Sequence, residues 1–411
     1  MVLLKTRSLP SKSLVFFLLI GGFTLITLNV FLVHEVSESW FEGSDASYLY
    51  ATAKTFASYP STILSLDNRY VGYTLFQLLS SFPLTNHEFA ASLLIRYSNW
   101  TIWILSFIFI VKRIRYAFGL DLSSRKFFTS VVNSIMLWVS LYNFRDTIIM
   151  SLCSTLLVML ASFRKKEIPL FLFLCVFLWF FRYFFLYSLA FSLFTAIVAL
   201  KLLKPKNAIR KIIVMAFLLM ITVSLLPTEM LSFLATNFSQ DFRYFVSVSS
   251  YSLQELFRGL LSSFIAGNPL KFVYSSIGLG VDRAFVITSL SAIFQWSVYL
   301  ATYTILIPFF TLVLLTNDNH FRLLSNHSKS MDGTRSKQIF VFTTVVFVTL
   351  VLLIYSLFYG GTQERIRAVI IIPVAILFEI AKEQAEDHTP FSKAMLFSML
   401  LMLVFVMVNP L

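Results

Sequence analysis

At 411 residues, of which 58% are hydrophobic and only 13% charged, and with a mean hydropathy of +0.80, the chain lies far outside the composition of a soluble globular domain. It reads as an all-α integral membrane protein, and no stretch is long and polar enough for a separate catalytic domain, so residues 1–411 make one membrane domain. The net charge of +13 belongs to loops facing anionic headgroups and is poor evidence for nucleic-acid binding.

The first apolar run, Leu14 to Val33, follows Lys5, Arg7 and Lys12. It has the length of a span and lacks a small-residue cleavage site, which makes it an uncleaved anchor. A long outer segment, 34–88, comes next. In it Ser44 and Asp45 follow the turn residues Glu42-Gly43 and begin a helix, the serine as cap and the carboxylate suiting the helix dipole. Val71, Leu75, Leu78, Leu79 and Phe82 then line one face of a second helix, read as lying in the membrane interface.

Two short apolar helices follow, Phe127 to Tyr142 and Thr147 to Ser162, joined by a tight tip at Asn143-Phe144-Arg145-Asp146. Ile168 to Leu200 is too long for one untilted span of about 20 residues, and two short helices turning near Arg182 fit it better. A second long outer segment, 228–284, carries another amphipathic pattern at Leu253, Leu256, Phe257, Leu260, Leu261 and Phe264, closed by Gly267-Asn268-Pro269. Finally Gly360 to Arg367 runs directly into the apolar stretch Ala368 to Phe378, which contains Pro373.

Basic clusters at Lys112 to Arg115 with Arg125-Lys126, at Arg164 to Lys166, at Lys201 to Lys211 and at Arg322 to Lys337 hold most of the Lys and Arg. Placing them and the N-terminus in the cytoplasm satisfies the positive-inside rule and predicts a polytopic bundle of about eleven spans with the C-terminus outside. Arg145, Arg182, Arg365 and Arg367 then meet the outer face, with Asp45 and Asp146 among them.

Several chemistries find no support. Cys153 and Cys175 both lie in apolar spans and imply no disulfide framework. The five histidines lack ligand spacing, so no metal site is expected, and no Gly-rich phosphate loop or Gly-x-Ser-x-Gly elbow occurs. No cofactor is called for.

Each outer charge has a plain structural reading: Asp45 as a helix-start carboxylate, Arg145 as a snorkelling span end, Glu364 as a neutraliser of its neighbours. Arg182 is harder to explain that way. Phe180, Phe181, Tyr183, Phe184 and Phe185 surround it without a carboxylate, so its partner must come from elsewhere. Four cationic sites on one side with acidic Asp45 among them are best explained together, as a site for an anion plus a hydroxyl.

The stretch Gly43 to Tyr48 with Arg69-Tyr70-Val71-Gly72-Tyr73 resembles the first outer loop of bacterial exopolysaccharide and O-antigen polymerases of the Wzy and EpsG type. There an Asp-x-x-Tyr element, here Asp45 to Tyr48, precedes a Gly-Tyr or Gly-Phe helix. Phe144-Arg145-Asp146 resembles their middle arginine motif, and Glu364 to Arg367 is similar to a late arginine motif shared with GT-C glycosyltransferases. The adjacent acidic pair usual in GT-C enzymes is absent at Asp45.

The resemblance implies an undecaprenyl-diphosphate-linked oligosaccharide substrate, polymerised at the periplasmic face of a bacterial inner membrane, possible partners among other polysaccharide-assembly proteins, and no nucleic acid. Arg145, Arg182, Arg365 and Arg367 would hold the diphosphate, with Asp45, and Asp146 second, as base for the attacking hydroxyl. Arg69 and Tyr48 are secondary candidates. A GT-C-type transferase adding a single sugar from a polyprenyl monophosphate, a transporter or flippase of lipid-linked sugars, and a non-catalytic scaffold are the alternatives.

Overall fold

The computed structural model describes residues 10–37, 40–41, 44–59, 68–141, 145–202, 214, 290–315, 331–359, 364–385 and 388–408. Among these there is no strand. The helices are α1 (Lys12–Ser37), α2 (Ser44–Ser58), α3 (Asn68–Ser81), α4 (Glu88–Phe118), α5 (Lys126–Leu141), α6 (Asp146–Leu160), α7 (Ile168–Leu202), α8 (Leu290–Ala301), α9 (Ile307–Leu315), α10 (Met331–Tyr359), α11 (Glu364–Gln384) and α12 (Thr389–Val408). Within the described residues five helical segments are long and apolar enough to cross a membrane: Lys12–Glu35, Glu88–Phe118, Lys165–Lys201, Phe294–Val313 and Arg335–Tyr355. Shorter apolar helices occupy Lys126–Leu141, Asp146–Leu160 and Thr389–Val404. The second outer segment, 228–284, and its amphipathic pattern lie outside the described residues.

The chain divides into two compact units, Met1–Tyr187 with Phe272–Ser297, and Ser188–Lys271 with Val298–Leu411. In the first unit α4 is the central post, packing against α1, α3, α5 and α6. Its contact with α1 is fitted by a glycine: a side chain on Gly22 would overlap the Trp100 indole, which donates to the Leu18 carbonyl at 3.0 Å. Helix α4 stops at Gly119, whose left-handed backbone (φ 76°) lets its N–H reach the Arg115 carbonyl at 2.9 Å. Helix α6 is buried along its whole length.

Ion pairs tie together the basic end of this unit. Arg113 pairs with Glu167 and Arg115 with Asp121, while Arg164 lies 4.7 Å over the Tyr116 ring. Two of the basic clusters, around 112–115 and 164–166, therefore share the end formed by the C-terminus of α4 and the start of α7. Arg96 and the C-terminal residue of α5, Leu141, meet toward the other end of α4, since an α-helix rises about 1.5 Å per residue.

Helix α3 departs from a core-facing amphipathic helix. Its apolar face is turned outward, with Leu79 and Phe82 exposed at 76% and 74%, while Tyr73, Thr74, Gln77 and Ser81 are buried. Lipid accepts an apolar exterior, so a bundle in a bilayer can keep its polar side chains inside and present leucine and phenylalanine outward.

The second unit packs α11 against α10, and the π-turn at Thr302–Leu306 against α9, α11 and α12. Arg367 and Glu379 are both buried in α11.

Candidate acidic-arginine site in the first unit

The 16 residues of α5 and 15 of α6 make helices only about 22–24 Å long, against about 46 Å for the 31 residues of α4. Both α5 and α6 are shorter than the ~30 Å hydrocarbon thickness of a bilayer. Arg145 caps α6 with its backbone: its carbonyl accepts from the Ile148 and Ile149 N–H groups at 3.1 and 3.2 Å. Asp146 is the first residue of α6, where the helix dipole favours a carboxylate.

The Asp146 side chain is 1% exposed, and among the described residues no hydrogen bond reaches its Oδ1. Arg182 Nη1 lies 3.9 Å from that oxygen, and the Arg182 side chain is 16% exposed. At that separation the two attract as charges without the geometry of a hydrogen bond. The carboxylate that the aromatic run around Arg182 cannot provide comes from α6.

Arg182 is positioned by a break. Helix α7 is two helical halves joined at this residue, whose backbone is extended (φ −168°, ψ 93°). Trp179, Tyr183 and Tyr187 form a mutual ring cluster beside it, with centroids 5.4 to 6.1 Å apart. Residues eight apart on a straight helix are about 12 Å apart along its axis. The break helps bring Trp179 and Tyr187 into ring contact, and such a Trp/Tyr group is typical of the membrane–water boundary.

Helix α3 closes the site. A side chain on Gly72 would overlap the Phe180 carbonyl, so α3 and the residues just before Arg182 touch backbone to backbone. The next residue, Tyr73, packs edge-on against Phe181 at 6.3 Å, and its hydroxyl accepts from Asn99 Nδ2 at 3.1 Å. Burial pushes the Tyr73 phenol well above its ordinary range; the Asn99 hydrogen bond and the Arg96 charge pull back, and Asp146 adds to the rise. Tyr73 therefore stays protonated beside the acid.

Arg96 is fully buried and held by main-chain oxygens. Its Nε donates to the Leu141 carbonyl at 2.7 Å, and Nη1 to the carbonyls of Ser92 and Trp40 at 3.3 and 3.4 Å and to the Ser92 hydroxyl. The last carbonyl of α5 has no partner within its own helix, and Arg96 supplies one. These bonds make Arg96 a strut that ties α4 to the C-terminal end of α5.

Among the anticipated residues, the structure brings Asp146 and Arg182 together, with Arg145 next to Asp146 in the chain. Asp45, Arg69 and Arg365 stand in helical backbone at the starts of α2, α3 and α11, and their side chains lie outside the described residues, as do Asn143 and Phe144 of the tip. Tyr48 is exposed on α2, and Arg367 is buried in the second unit within electrostatic reach of Tyr303. Tyr73 entered the sequence reading only through the resemblance, and the role of Asn99 was missed. A signal was present: Ser92, Arg96 and Asn99 recur at helical spacing as a polar stripe on an apolar helix. Among the described residues no group of three His, Cys, Asp or Glu side chains could hold a metal ion. No protein-family model matches the chain, and no curated protein or solved structure is detectably similar to it.

Proposed function

We propose that this chain is a membrane glycosyltransferase that polymerises undecaprenyl-diphosphate-linked oligosaccharide repeats at the periplasmic face of a bacterial inner membrane. The observation that carries the reading is the buried Asp146 carboxylate, whose Oδ1 faces Arg182 at 3.9 Å and accepts no hydrogen bond among the described residues. An underused carboxylate acceptor beside a cation suits a reaction in which a hydroxyl loses a proton while a phosphate gains charge.

The acceptor hydroxyl oxygen attacks the anomeric carbon, and its proton passes to Asp146. The bond between that carbon and the diphosphate oxygen breaks, with the electron pair leaving on the lipid diphosphate. Arg182 moves from the carboxylate toward that developing charge, assisted by Arg145. Tyr73, kept neutral, orients the hydroxyl or the sugar beside the acid. Arg365 and Arg367, on α11 of the second unit, are kept as candidate phosphate-binding residues, and Asp45 is assigned a supporting acidic role.

The shared basic end of α4 and α7 supports the orientation, because the positive-inside rule puts it in the cytoplasm and Asp146 toward the outside. The full proposal keeps about eleven spans with a cytoplasmic N-terminus. A transporter of lipid-linked sugars is the second reading, favoured by Arg367 and Glu379 buried in α11, since an anion path through a bilayer needs interior charge.

The test is to delete the gene in its host, restore it as wild type or Asp146→Asn, and resolve the lipid-linked saccharides by size. The expected result is a full ladder with wild type and single repeat units with the variant. A full ladder with the variant removes the base and the reading built on it. A product longer by one sugar indicates a single-sugar transferase, and repeat units trapped on the cytoplasmic side indicate the transporter.

A further inference from the structure

A second feature of the first unit lies on α2, away from the acid and arginine. An open groove of about 460 Å³ runs along this helix, floored by Ser47, Ala51 and Thr55 and walled by Tyr50, Lys54 and Glu88, the last from the start of α4. The floor residues recur every fourth position, so they share one helix face, and their small side chains leave the space.

The lining has a definite chemistry. Lys54 Nζ and Glu88 Oε1 stand 3.5 Å apart and are each about half exposed, so the groove carries charge of both signs and no net excess. That composition disfavours a phosphate or a polyanion. Buried Tyr50 stacks on Phe41 with centroids 4.3 Å apart and donates to the Thr85 carbonyl at 2.6 Å, which gives the groove a rigid backing, and the aromatic ring exposed at its lining is Tyr59. The Thr55 hydroxyl donates to the Ala51 carbonyl at 2.9 Å and keeps lone pairs for a donor from outside. An acyl chain would leave these groups unsatisfied. A neutral saccharide suits them: its hydroxyls both donate and accept, its C–H faces rest on aromatic rings, and a groove of this volume is in the range of small-ligand sites.

We propose that the α2 groove binds a neutral stretch of oligosaccharide, two or three sugar rings long, as the acceptor end of the growing chain. The identity of this saccharide as acceptor rests on the glycosyltransferase reading; the binding itself does not. The groove holds the glycan by contacts to its rings while the lipid diphosphate is held elsewhere, so the sugar is recognised without its lipid.

The experiment uses the full chain in nanodiscs and, as probe, the free oligosaccharide released by mild acid from the host's surface polysaccharide, observed by saturation-transfer NMR. Ala51→Trp and Thr55→Trp fill the groove from exposed positions on α2, where folding tolerates them. The expected result is clear transfer to wild type, at least a tenfold weakening in both tryptophan variants with unchanged melting temperatures, and undiminished transfer in Asp146→Asn. No transfer to wild type, or full transfer in both tryptophan variants, overturns the groove. Binding that is lost in the tryptophan variants while Asp146→Asn still extends chains in the host would retain the groove and remove the catalytic reading.

Discussion

The carboxylate of Asp146 and the guanidinium of Arg182 face each other at 3.9 Å, one from the first turn of a wholly buried helix and the other from a break in a long one. Removing one partner leaves an uncompensated buried charge, which typically costs about 3–5 kcal/mol. Arg182→Ala should therefore melt well below wild type, and Asp146→Asn combined with Arg182→Ala should recover much of the loss. Both variants should fail to extend saccharide chains. Melting in detergent separates the two effects from the gel readout, and a double variant that regains extension would reduce the pair to a structural strut.

Arg182→Lys keeps the charge and loses the planar fork. If Arg182 meets a phosphate through paired N–H groups, the lysine variant should be stable and yet lose at least tenfold in extension rate. Near-normal extension would mean that a point charge is sufficient.

Arg96→Gln addresses a residue assigned to support. With the Leu141 and Trp40 carbonyls no longer held by a cation, the C-terminal end of α5 loses its anchor, and hydrogen bonds from charged groups are worth about 1.5–3 kcal/mol each. The expectation is a lower melting temperature with residual activity in whatever fraction remains folded. A stable protein with no activity would place Arg96 in the chemistry.

Glycine replacements on two helices should behave differently. Gly72→Ala puts a methyl into the Phe180 carbonyl and should cost about 1–3 kcal/mol, whereas Gly21→Ala meets nothing within 4 Å and should be neutral or mildly stabilising. Equal melting temperatures for the two variants would contradict the close approach of α3 to α7.

Tyr50 supplies a pH dependence. Burial, and then the Glu88 carboxylate, push its phenol up to about 12, against about 10 in the unfolded chain. The unfolded state thus loses the proton first, so this contribution is intact below pH ~10 and is lost progressively as pH rises toward ~12. Tyr50→Phe should begin about 1 kcal/mol less stable, for the lost bond to the Thr85 carbonyl, and the gap should narrow over that window. Parallel pH curves would show that the phenol is not confined as described.

Much of the bundle was readable because helix length and apolar runs are dictated by the solvent. The two short helices emerged as α5 and α6 within a residue or two, and the difficulty with Ile168 to Leu200 resolved into a backbone break at Arg182 itself. What sequence could not give was which face of α3 turns inward. Its leucines mark a stripe, yet in a bilayer the stripe faces out, and the buried partners are Tyr73, Thr74 and Gln77. Pairing across elements was equally hidden: nothing in the chain order links Asp146 to Arg182, or Arg96 to the carbonyl of Leu141, because these are contacts made by packing and not by spacing.

The bare backbone of Gly72 presses α3 directly on the strip of chain that ends in Arg182, with no side chain between them to absorb movement. Two turns further along the same side of α3, Leu79 is exposed to the surroundings, as is Phe82 just past the end of the helix. Any displacement of α3 is thus passed directly, backbone to backbone, to the segment that positions Arg182.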